Sequence, residues 1–142
     1  MLRIVILLFI IFITVSSCDS KIEDPVIIPD GIYVGTFRRT PAWQFSQTAN
    51  ITITFSDDTW SGQSDSIDFP ILGQGTYKIE NKMIIFTNLR DVSPGSDTTL
   101  ILSGEFQFDK SNTLLEIYRY YYSPVWGWDI PDEDRYSLTK KK

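Results

Sequence analysis

The chain has 142 residues, one cysteine, no histidine and a formal net charge of -5. The missing histidine and the single cysteine exclude zinc sites of the usual Cys and His kinds, and Ser-His-Asp or Cys-His nucleophiles. The only basic cluster is Lys140-Lys141-Lys142, and nucleic-acid binding needs far more clustered Lys and Arg than that, so no nucleic-acid partner is expected.

The chain opens with Met-Leu-Arg and an unbroken apolar run from Ile4 to Ile13. A helix that crosses a bilayer needs about 20 apolar residues, so this run is too short to span one. Its length and flanks suit the core of a signal peptide. Small residues follow, and then Cys18, in the string TVSSCDS. Val15-Ser16-Ser17-Cys18 resembles the lipobox of bacterial lipoproteins, with Val15 where Leu is commoner. The resemblance implies cleavage before Cys18 and acylation of its thiol. The plainer readings of this stretch are a buried small hydrophobe and an uncleaved anchor.

Lipid chains anchor because each buried methylene adds about 0.8 kcal/mol, and one chain alone holds marginally. As the only cysteine, Cys18 has no internal disulfide partner, and acylation would remove an exposed thiol from an oxidising compartment. Cleavage there leaves 125 of the 142 residues and, with Arg3 gone, moves the formal charge from -5 to -6. The chain then divides into a signal peptide (1–17), a lipidated tether (18–30) and one folded domain (31–142). The tether carries Pro25 and Pro29 and begins with acidic residues. That acidic start resembles the export tags on surface lipoproteins of the Bacteroidetes. The expected location is the cell envelope, as an outer-membrane lipoprotein facing the periplasm or the surface.

Beyond residue 30, strand signals recur and helical stripes are absent. Strands are predicted over Gly31–Arg38, Asn50–Ser56, Thr59–Gln63, Gly75–Glu80, Lys82–Asn88, Thr99–Phe108, Thr113–Tyr121 and Arg135–Lys140. The second is the clearest, since Ile51, Ile53 and Phe55 alternate with Thr52 and Thr54. In the sixth, Leu100, Leu102, Phe106 and Phe108 share a face. Glu80-Asn81 is read as a tight turn. The predicted fold is all-β, an eight-stranded antiparallel up-and-down barrel, because closure removes unprotected edges. A β-sandwich is the alternative. In a meander, alternate connections lie at the same end. The four long connections should therefore gather at one rim, and the three tight turns at the other end.

Gly31-x-Tyr33 resembles the glycine-aromatic start of lipocalin strand one, with Tyr33 where Trp is usual. GTYKIENKMIIF and YSLTK are similar to the middle and last strands of small lipocalin-like bacterial lipoproteins. The resemblance covers residues 31 to 140 and implies an eight-stranded barrel, often with a small apolar ligand in its mouth. It also implies a late basic side chain over the strand-one aromatic, a part that falls to Lys140. No long helix follows the last strand. Tyr33 is expected to point into the barrel near its closed end.

Paired carboxylates such as Asp57 with Asp58, or Glu105 with Glu116, have no spacing specific to glycosidase chemistry. Asp129-x-x-Asp132-Glu133-Asp134 offers hard oxygen ligands without the spacing of a known calcium loop. No enzyme, metal or cofactor is expected. The informative segments are aromatic. YYSPVWGWDIPDE holds Tyr121, Tyr122, Trp126 and Trp128, and the first long loop holds Trp43 and Phe45. Tyr and Trp give large contact area at low entropy cost. These rings are the candidate ligand-binding residues at the barrel mouth. The alternatives are aromatic rim loops that bind or inhibit a protein partner, and a structural envelope component whose rings plug its own barrel.

Overall fold

The computed structural model describes residues 27–42, 44–122 and 131–142. Its strands are β1 (Gly31–Thr40), β2 (Gln47–Ser56), β3 (Thr59–Ser64), β4 (Gln74–Glu80), β5 (Met83–Asn88), β6 (Gly104–Lys110), β7 (Leu114–Tyr121) and β8 (Asp132–Lys140). They form one closed barrel in sequence order, with every neighbouring pair antiparallel. The ladder between β1 and β8, from Tyr33 opposite Lys140 to Thr40 opposite Glu133, closes it. This is a barrel and not a sandwich, and every strand edge is paired, as closure requires.

The short connections lie at one end. Asp57 takes a left-handed conformation in the β2–β3 turn. Asn81 and Lys82 both have positive φ between Glu80 and Met83, as a tight hairpin demands. The turn predicted at Glu80-Asn81 is therefore centred one residue later, and Lys82 belongs to it rather than to β5. The strand ends joined by the four long connections, β1 to β2, β3 to β4, β5 to β6 and β7 to β8, lie at the other end.

The sixth strand departs most from expectation. It begins at Gly104 and not at Thr99, and residues Thr98–Leu100 form a short 3-10 turn instead. Asp97 caps this turn by accepting from the Thr99 amide at 2.9 Å. Gly104, at φ 92°, changes the chain's direction as the strand starts.

Alternation along each strand sends one face inward. Phe37, Ile53, Phe55, Ile84, Phe86, Phe106, Ile117, Tyr136 and Leu138 are buried. A chain of ring contacts runs through the barrel. Tyr33 meets Phe55 at 5.4 Å between centroids, and Phe55 meets Tyr77 at 5.1 Å. Phe86 meets Phe106 at 5.8 Å, and Phe106 meets Tyr136 at 6.0 Å. Tyr136 meets Phe37 at 4.7 Å, and Phe37 meets Phe69 at 5.1 Å. Gly35 lets β1 and β8 come together here, since a Cβ on it would lie 1.9 Å from the Ser137 carbonyl oxygen.

Tyr33 is buried at the short-turn end, as its place in β1 implied. Its hydroxyl donates to the Pro29 carbonyl at 2.7 Å. Residues 27–30, assigned to the tether, thus pack across this end, with Ile28 buried beneath the strap. Lys140 lies against Gly31, with its side chain where a Cβ on that glycine would sit. Cys18 and the apolar run fall outside the described residues.

Candidate functional site

The mouth is shaped by two long loops that turn inward. The Ile71 amide donates to the Leu100 carbonyl at 3.0 Å, and the Leu102 amide donates to the Ile71 carbonyl at 3.3 Å. Ile71 and Ile101 form a parallel bridge. Ile71, Leu72 and Leu102 are buried, with Phe69 and Leu100 packed against the core. These loops put apolar side chains over the ring chain.

Beside this plug, three neighbouring strands each send a charged side chain inward. Arg39 of β1 donates to Asp134 of β8 through Nε at 2.7 Å and Nη2 at 2.8 Å, a fork matched to the carboxylate. Arg119 of β7 donates to Asp134 Oδ2 from Nε at 3.2 Å and Nη2 at 3.1 Å. Asp134 is 1% exposed. The same arginines hold the β5–β6 loop. Arg39 Nη2 donates to the Thr99 carbonyl at 2.9 Å, and Arg119 Nη2 donates to that same oxygen. Arg39 Nη1 reaches the Thr99 hydroxyl at 2.9 Å, and Arg119 Nη1 reaches the Ser103 carbonyl at 3.3 Å.

Burial by itself would lower the Arg39 pKa. The hydrogen bond and charge of Asp134 outweigh it, so the net shift is upward and the guanidinium stays charged. The hydrogen bond from the Thr99 hydroxyl lowers the Asp97 carboxyl below its ordinary range. Asp97 therefore supports the fold above its unfolded pKa, and that support is lost as pH falls through the folded value. Chemically the cluster is an ionic strut with its donors occupied.

Tyr121 is half-buried and points into the mouth. Its ring lies 5.4 Å from the Arg39 guanidinium and 5.8 Å from that of Arg119. Arg119 also sits 4.6 Å over Phe106. Burial first, and Asp134 second, push the Tyr121 hydroxyl up to about 12. Of the candidate binding rings, Tyr121 thus belongs to the strut, while Tyr122 and Phe45 face solvent. Trp43, Trp126 and Trp128 lie outside the described residues. The Ala42 amide donates to Asp132 Oδ1 at 2.7 Å, which ties the first long loop to the start of β8 as the topology required.

Among the described residues, each long loop exposes one large apolar side chain. Phe45 is 96% exposed between β1 and β2, and Ile67 is 93% exposed between β3 and β4. Leu89 is 67% exposed between β5 and β6, and Tyr122 is 69% exposed beyond β7. Ile67 and Leu89 were not singled out in the sequence, because a lone aliphatic residue in a polar loop carries no pattern.

Where the acidic run 129–134 is described, Asp132 takes the Ala42 amide and the other two acids take arginines. Asp134 takes Arg39 and Arg119, and Glu133 accepts from Arg135 Nε at 2.9 Å. Among the described residues no group of acidic side chains is arranged to hold a metal ion. Glu105 is not opposite Glu116, since Asp109 is. Comparisons with protein-family models, with curated proteins and with solved structures give no match to this chain.

Proposed function

We propose that this protein is an envelope lipoprotein, anchored through acylated Cys18, that uses its rim loops as a docking surface for a protein partner. One observation carries the reading: all four long loops expose a large apolar residue at the same end of the barrel. Single exposed apolar residues are ordinary, but four strongly exposed ones gathered at one end fit an interaction surface. The ring chain and the inward loops favour the rim over the interior, because they occupy the path that a small apolar ligand would take. A small apolar or aromatic ligand at the mouth is the second reading, supported by the barrel architecture and by Tyr121. No catalytic role is proposed.

Incorporating a photo-crosslinking residue at Phe45 or Tyr122 in cells should yield a discrete protein adduct. The same residue at Thr54, on the barrel wall, should not. Replacing Ile67 and Leu89 together with serine should reduce the adduct at least fivefold while leaving the thermal midpoint within a few degrees. Equal adducts from rim and wall, or none from the rim, would rule out a docking rim.

A further inference from the structure

The closed end carries a second feature, and it concerns the membrane side of the molecule. The strap 27–30 crosses this end and is fixed there by Ile28, by the Tyr33 hydroxyl on Pro29, and by Asp30 accepting from the Asp57 amide at 2.9 Å. The chain from Cys18 therefore arrives at the closed end. Ile27 is nine steps along the chain from Cys18, and fully extended that stretch spans at most roughly 30 Å. The last strand finishes at the same place, since Lys140 is opposite Tyr33 and the Lys141 amide donates to the Ile32 carbonyl at 2.7 Å.

Between the strap and the β6–β7 turn is a cleft of about 270 Å³. Lys110, Asn112, Thr113 and Lys140 line it around Tyr33, and no carboxylate is among its lining residues. Among the described residues, Lys110, Lys140, Lys141 and Lys142 make no ion pair. Asp30 of the strap is an acid beside Tyr33, whose pKa is raised by burial first and by the Asp30 charge second. Asp109 accepts from the Tyr118 hydroxyl at 3.1 Å, and Asp57 and Asp58 belong to the separate β2–β3 turn. Lys110 and Lys140 thus put two cationic donors without an ion-pair partner on one concave surface. Lysine is a point-charge binder of phosphate, and the amide and hydroxyl beside it are neutral ligands for the remaining oxygens.

We propose that this cleft takes the phosphate of an anionic phospholipid headgroup, so that the barrel stands on its closed end with the rim pointing away from the bilayer. Anionic leaflets attract lysines held near their surface, and the attraction fades within a Debye length, about 8 Å at physiological salt. The tether brings the cleft within reach, and the lysines then choose which side of the barrel touches. The inference rests on the lipid-anchor reading of Cys18.

The test uses the acylated full protein in vesicles, with an environment-sensitive dye attached through Ser56→Cys, exposed at the closed end and outside the cleft, or through Phe45→Cys. A headgroup spin-labelled lipid is the quencher. With 30% phosphatidylglycerol in phosphatidylcholine, quenching at position 56 should exceed that at position 45 at least threefold. In phosphatidylcholine alone, or with Lys110→Gln and Lys140→Gln together, that difference should vanish. Quenching at position 56 that ignores both lipid charge and the lysines overturns the proposal. So does binding of inorganic phosphate by the protein in neutral micelles at micromolar concentration, which would make the cleft a site for free anions. Failure of the anchor reading looks different: the protein would not float with neutral vesicles, or would float equally after Cys18→Ser.

Discussion

Asp134→Asn is expected to lower the unfolding free energy by about 3 to 5 kcal/mol, the range for breaking a buried ion pair by removing one partner. Asp134 is 1% exposed and serves two guanidinium groups, and Arg39 and Arg119 have side chains only 11% and 21% exposed. The asparagine keeps the volume but returns no charge, so both arginines stay partly desolvated without their counter-ion. The loss should also be felt at a distance along the chain, because the same arginines hold Thr99 and Ser103. Hydrogen exchange at the Leu100 and Leu102 amides should quicken more than exchange at Ile53, which is opposite Tyr33, towards the closed end and away from the strut. Denaturant unfolding measures the first effect. A loss under about 1 kcal/mol would mean that water reaches the arginines and the strut is decorative.

Tyr33→Ala should cost about 3 to 5 kcal/mol, as buried aromatic truncations do. The ring is buried at the closed end, packs edge-on against Phe55, and holds the strap through Pro29. Tyr33→Phe separates the two roles. It keeps the ring and gives up a hydrogen bond whose net worth is about 1 kcal/mol. Equilibrium unfolding of both variants should therefore give losses that differ several-fold. Equal losses would assign the stability to the strap's hydrogen bond and not to the ring.

Period-two patterning was the legible part of the fold. β2 shows why: Ile51, Ile53 and Phe55 are buried and their neighbours are not. The same rule misplaced the start of β6. Leu100 and Leu102 continue the alternation of Phe106 and Phe108, so the pattern runs unbroken through a 3-10 turn and past Gly104. Period alone does not register that Asp97 caps a turn or that the glycine adopts a positive φ. β8 failed in the opposite direction. Asp132, Glu133 and Asp134 fall before the strand predicted from Arg135, yet they are strand residues, and Glu133 and Asp134 meet arginines on neighbouring strands. The strut was in principle legible. Arg39 is in phase with Phe37, Arg119 with Ile117, and Asp134 with Tyr136, which places three charges inward near one end. Charged residues are rarely buried unless paired, so composition points against an inward place for all three. Loop lengths correctly gathered the long connections at one rim. They carried no information on which loops turn inward, because that depends on contacts such as Ile71 with Ile101 that join residues far apart in sequence.

The protein's own rings and loops fill the interior, which leaves the rim as the proposed place of contact with other molecules. Titration with the neutral apolar fluorophore N-phenyl-1-naphthylamine tests it most directly. The expected result is no saturable binding up to tens of micromolar probe, with only a weak, linear rise in emission. The result that would contradict the claim is one-to-one saturation at low micromolar probe that survives the combined replacement of Phe45, Ile67, Leu89 and Tyr122 by serine. Such binding would place an open, ligand-accepting cavity inside the barrel.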